Sequence, residues 1–78
     1  MHKLFADQGQ LTTLKEMLAR TTRGIEQTRA NIKRIQSYKH EPGSKLAARQ
    51  VEAIERLEDI VMFQERVIAT LTAILKGV

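Results

Sequence analysis

The residues with the widest chemical repertoire are the carboxylates of the second half: Glu52, Glu55, Glu58, Asp59 and Glu65. Carboxylates at helical spacing can share acid and base roles. Turned inward, they can hold paired metal ions, provided a Glu-x-x-His step supplies imidazole ligands. The two histidines, His2 and His40, stand apart from this cluster, and neither follows one of its glutamates at that spacing. Arg49, Arg56 and Arg66 interleave with the acids instead, which is the arrangement of pairs along a solvated helix face. The chain has no cysteine, which removes thiolate ligands and disulfides. Its 4 glycines are scattered and form no phosphate-binding loop. The sequence therefore predicts no enzyme, no metal site and no cofactor. Function has to lie in the surfaces that the helices present.

The elements carrying those surfaces are set by one break. His40-Glu41-Pro42-Gly43-Ser44 contains the only proline, and adjacent Pro and Gly are strong helix breakers. Long stretches of helical rhythm flank it. In the first, Leu11, Leu14, Leu18, Thr21, Ile25, Thr28, Ile32 and Ile35 alternate in steps of three and four, placing all eight on one narrow stripe of a helix. In the second, Ala47, Ile54, Val61, Ile68 and Leu75 form one line, and Leu46, Ala53, Ile60, Val67 and Ile74 form another beside it. Leu57 and Leu71 add a third line, interrupted by Gln64. Three adjacent lines make a broad apolar arc. The expected fold is all-α: one domain over residues 1–78, an antiparallel two-helix hairpin of coiled-coil character. It has a first helix at about 10–39, a turn at 40–44 and a second helix at about 45–76, with Ser44 as N-cap and Gly77 as terminator. Asp7 is placed to cap the first helix, and Leu4 and Phe5 either fray with the terminus or fold back onto the bundle or a partner.

Length and charge narrow the function classes. At 78 residues the chain is one domain, small enough that its core commonly needs help from staples or oligomerisation. Met1-His2-Lys3-Leu4-Phe5-Ala6-Asp7 has too short an apolar run for a signal peptide. No apolar run approaches a membrane span, so a cytoplasmic protein without membrane contact is expected. The formal charge of +4 comes from 13 Lys and Arg against 9 Asp and Glu. The first helix carries Lys15, Arg20, Arg23, Arg29, Lys33, Arg34 and Lys39 against Glu16 and Glu26. Such a face can neutralise phosphates or steer an acidic partner. Only Phe5, Tyr38 and Phe63 are available for base stacking, which makes nucleic acid the weaker of the two partners.

Folding the chain symmetrically about Pro42 and Gly43 sets Leu14 opposite Leu71, Leu18 opposite Val67 and Ile68, and Gly24 opposite Ile60 and Val61. It also sets Tyr38 over Ala47 and Ala48, and pairs the two polar seam positions, Thr21 and Gln64, within reach of a hydrogen bond. Gly24 reads either as a tolerated surface glycine or as a point of close helix crossing. A narrow stripe cannot cover a broad arc. The expectation is that Ile60, Met62, Phe63, Val67, Leu71 and Ile74 meet another chain, or close a homodimeric bundle.

Two segments carry a family likeness. Leu11-Thr12-Thr13-Leu14-Lys15-Glu16-Met17-Leu18 is similar to the start of the small E-type co-chaperones of bacterial type III secretion, the YscE/SsaE/EscE family. Val51-Glu52-Ala53-Ile54-Glu55-Arg56-Leu57-Glu58-Asp59-Ile60-Val61 resembles their second-helix stretch. The resemblance implies a helical hairpin that binds a TPR-like, G-type chaperone and, through it, keeps the needle subunit unpolymerised in the cytosol. The residues alone leave open a homodimeric hairpin that binds nucleic acid and a purely structural coiled-coil module.

Overall fold

A computed structural model of the chain describes residues 8–77, and it is an all-α hairpin: α1 spans Gln8–Gln36 and α2 spans Lys45–Lys76. The expectations for His2, Leu4, Phe5 and the Asp7 cap lie outside the described residues. The hairpin is a rod, 64 × 15 × 13 Å, two helices wide and without a second layer.

The seam follows the heptad of the sequence. On α1, Leu11, Leu14, Leu18, Thr21, Ile32 and Ile35 are half-buried and Ile25 and Thr28 are buried, whereas nearly every other described residue of that helix is exposed. On α2 the covered line is Ala47, Gln50, Ile54, Leu57, Val61, Gln64, Ile68, Leu71 and Leu75. The two threonines fit an apolar seam because their hydroxyls are satisfied at home. Thr21 Oγ1 donates to the Met17 carbonyl and Thr28 Oγ1 to the Gly24 carbonyl, both at 2.8 Å, which turns only their methyl side to the seam. The core is thin: among the described residues the buried apolar ones are Ile25 and Leu71 at 6% and 5% exposure, and no described side chain is fully enclosed.

The turn is built as the Pro-Gly pair dictates, and it is longer than the sequence suggests. The Ser44 amide donates to the Glu41 carbonyl at 3.1 Å and Gly43 has φ of 81°. This is the pattern of a type II turn, with Pro at the second position and a residue of positive φ at the third. Ser44 is the N-cap of α2: its hydroxyl accepts from the Ala47 amide at 3.1 Å. Gly77 ends the helix with its amide on the Ala73 and Ile74 carbonyls, at a right-handed φ of −82°. The end of α1 differs from expectation: it comes at Gln36 rather than near 39. Here Tyr38 and Ser37 close short bonds back to Ile35 and Arg34, and Ser37 Oγ donates to the Arg34 carbonyl at 2.6 Å. The tightened last turn leaves carbonyls for another donor. Gln50 supplies it, with Nε2 donating to the Ile35 and Tyr38 carbonyls at 2.6 and 2.9 Å.

That cap shifts the register. With Gln50 held over the end of α1, the first two turns of α2 run past it, and the helices slide by about one turn from symmetric pairing. Gly24 therefore lies against Gln64 rather than Ile60 and Val61: a Cβ at Gly24 would sit 3.0 Å from Gln64 Nε2. The expected bond between Thr21 and Gln64 is absent. Thr21 donates to Met17, and Gln64 Oε1 is buried without a partner. Tyr38 stays half-exposed at 52%.

Candidate interaction face

The two edges of a helical hairpin need not be alike, and here they differ. Arg29 follows Thr28 of the seam and Glu65 follows Gln64, and they meet as an ion pair at 3.1 Å. Residues that follow seam positions thus share one edge. It is polar, and Thr22, Ile25, Glu26, Arg29, Glu65 and Ile68 line a shallow groove of about 320 Å³ along it. Both partners of the ion pair are more than half exposed, at 58% and 53%, so the pair contributes little to stability.

Residues that precede seam positions share the opposite edge. On α2 these are Leu46, Ala53, Ile60, Val67 and Ile74, and on α1 they include Met17, Gly24, Asn31 and Tyr38. Ile60 is 45% exposed and Val67 and Ile74 are half-buried. Phe63 stands beside them at 67% exposure, the most open of the large apolar side chains among the described residues. Ile60, Phe63, Val67, Thr70 and Ile74 again alternate in steps of three and four. They form a second heptad stripe on α2, about 100° round the helix from the first, since adjacent residues are 100° apart at 3.6 per turn. A second shallow groove, about 290 Å³, runs along it between Phe63, Arg66, Val67, Thr70 and Leu71. Gly24 matters on this edge: with no Cβ of its own, it lets the Gln64 amide lie against α1.

The structure brings together Ile60, Phe63, Val67 and Ile74 on this stripe. It separates the other two residues expected with them. Leu71 belongs to the hairpin's own seam, since antiparallel pairing points it at α1, and it reaches the groove only as part of the lining. Met62 is exposed at 55% but lies further round α2, with Asp59 and Arg66 between it and the stripe. Met17, 44% exposed, Arg66 and Thr70 belong to the face and were not anticipated. Their signal is positional: Met17 immediately precedes the seam residue Leu18, and Thr70 falls in step with Phe63 and Val67.

The carboxylates do not converge. Glu52, Glu55, Glu58, Asp59 and Glu65 are all exposed, and among the described residues no group of three or more His, Asp or Glu could hold a metal ion. No described helix is long and apolar enough to cross a membrane. Compared with known proteins, the chain matches no family model, no curated sequence and no solved structure.

Proposed function

We propose that this chain is a partner-dependent helical hairpin acting as a co-chaperone of type III secretion. The second stripe of α2 docks in the concave groove of a TPR-like chaperone, and the pair keeps the needle subunit soluble and unpolymerised in the cytosol. The observation that carries the binding role is the exposure of Ile60 and Phe63, at 45% and 67%, on one continuous stripe of α2. Large apolar side chains in a row mark an interaction surface rather than scattered surface hydrophobics. The thin core adds a thermodynamic reason: a hairpin with so little enclosed gains stability by mass action from whatever binds its folded form. The needle-related client and the TPR-like partner rest on the resemblance of residues 11–18 and 51–61 to the secretion co-chaperones.

The test is co-expression with a TPR-like chaperone and a needle subunit of the same cell. The expected result is a soluble complex that co-elutes and a hairpin that melts higher within it, with Phe63→Asp abolishing both. A free chain already rigid and highly stable, and indifferent to such partners, would refute the reading.

A second reading draws on α1. Lys15, Arg20, Arg23, Lys33 and Arg34 are exposed there, and among the described residues none of the five is in an ion pair. A hairpin that used this face to bind nucleic acid would lose affinity steeply with added salt. Binding that is absent at low salt, or unaffected by added salt, removes this alternative.

A further inference from the structure

We infer that the uncovered edge takes an acidic amphipathic helix of another chain. Its apolar stripe lies on Ile60, Phe63, Val67 and Ile74, and its flanking Asp and Glu meet Arg20, Arg34, Arg49 and Arg56. The inference rests on the reading of this edge as a binding surface and adds the chemistry of what binds there. It does not need the partner to be a TPR-like chaperone.

The location of the charge leads to it. Followed towards the turn in the same steps of three and four, the second stripe of α2 continues through Arg56, Ala53 and Arg49 to Leu46. On α1 the line through Met17, Gly24 and Asn31 takes in Arg20 and Arg34. All four arginines are exposed, none is in an ion pair among the described residues, and neither line contains an acid. The chain has 13 Lys and Arg against 9 Asp and Glu, so these four arginines equal its whole formal excess of +4. The rows one step further out balance, with Glu16, Glu52 and Asp59 against Arg23, Lys45 and Arg66. A solvated helix face ordinarily interleaves the two signs, as the opposite edge does with Arg29 and Glu65. Four cations along an apolar stripe, with no acid of their own, are complementary to an anionic partner.

Their positions narrow the kind of partner. Arg34, Arg49 and Arg56 gather towards the turn, where Gln50 reaches the Ile35 and Tyr38 carbonyls and holds the end of α1 beside the start of α2. Arg20 lies one turn before Gly24, which meets Gln64, so it stands about level with Val67 across the edge. The apolar part from Ile60 to Ile74 is about 21 Å long, and the line from Arg49 to Ile74 about 38 Å, at 1.5 Å per residue. Steps of three and four along that length are those of a helix–helix seam, which neither a phosphate backbone nor a lipid surface requires. A second copy of this chain is a poor occupant, because it brings the same four arginines and no acid to the contact.

The experiment is fluorescence anisotropy on the full chain with two labelled helical peptides of about 25 residues, the length of that line. Both carry Leu in steps of three and four; one has Glu on both flanks of the stripe and the other has Lys. The Glu peptide should bind at least about tenfold tighter than the Lys peptide, by a margin that narrows with added salt. Arg20→Glu combined with Arg56→Glu reverses the preference, and a gain of binding to the Lys peptide is a result that loss of folding cannot imitate. Lys15→Glu combined with Lys33→Glu makes the same change in net charge elsewhere on α1 and leaves the preference for the Glu peptide. Equal binding of the two peptides, binding of neither up to about 1 mM, or a preference that both double variants change alike overturns the inference. So does tighter binding of an RNA duplex or of phosphatidylserine vesicles than of the Glu peptide. Those results leave the co-chaperone reading to its own test, since an apolar stripe can dock without charge selection and co-expression reads that docking through Phe63→Asp. A failed co-expression, in turn, leaves the peptide preference as it is.

Discussion

The contact between Gly24 and Gln64 sets the helix register, and a double-mutant cycle reads it directly. Gly24→Ala adds a methyl that would meet Gln64 Nε2 at 3.0 Å, closer than ordinary van der Waals contact. The change also removes a helix-interior glycine, worth about 1 kcal/mol in propensity. With Gln64 in place, the two effects oppose each other: the amide must swing aside from a half-buried site. The net change is expected within about 0.5 kcal/mol of zero. In a Gln64→Ala background nothing has to move, and the same substitution stabilises by about 1 kcal/mol. The coupling is then about 0.5–1.5 kcal/mol. Urea unfolding followed by circular dichroism, at concentrations where the chain is monomeric, gives the four free energies, and an unchanged m-value keeps them comparable. Equal stabilisation in both backgrounds would refute the register. It would mean that Gly24 faces some other residue, as the symmetric pairing with Ile60 and Val61 requires.

Four further outcomes follow from single contacts. Gln64→Leu should stabilise the hairpin by about 1–3 kcal/mol, because it removes a buried oxygen with no partner; thermal melting reads this as a rise of about 4–8 °C per kcal/mol. Gly43→Ala should cost about 1–2 kcal/mol, since a side chain at φ of 81° is strained. Ser44→Ala should cost about 1 kcal/mol through loss of the N-cap bond to Ala47. Arg29→Ala should shift the melting midpoint by no more than its exposed pair with Glu65 is worth, under about 1 kcal/mol, and the shift should shrink further with added salt.

The parts of the fold that repeat were legible in the sequence, and the part that depends on one junction was not. Leu11 to Ile35 lie on the seam because a heptad leaves no other face for them. Ser44 caps and the Pro42–Gly43 turn forms because each residue type has one strongly favoured local geometry. The register depended on Gln50, a polar residue at a seam position, which spends its amide on the Ile35 and Tyr38 carbonyls. Nothing in the periodicity distinguishes a glutamine that caps a neighbouring helix from one that faces solvent. The expected bond between Thr21 and Gln64 failed for a related reason: a helical threonine has its own fourth-preceding carbonyl always in reach. On the candidate face, the line of Ile60, Val67 and Ile74 was readable because it lies beside the seam. The exclusion of Leu71 and Met62 required knowing which edge α1 occupies.

The asymmetry of the two edges bears on what the hairpin is for. A chain selected only to form a stable two-helix rod has no use for a second heptad on α2. Polar residues at Ile60 and Phe63 would cost the rod little, because both are already substantially exposed. Nor would such a rod keep Gln64 in its seam with an unpartnered oxygen, when leucine fits the heptad between Leu57 and Leu71. The edge that carries Arg29 and Glu65 shows what an unengaged flank of this hairpin looks like: charged, open and weakly paired. The opposite edge departs from that pattern along four turns of helix. The departure is explained if the two helices are part of a larger bundle whose remaining helices come from another chain.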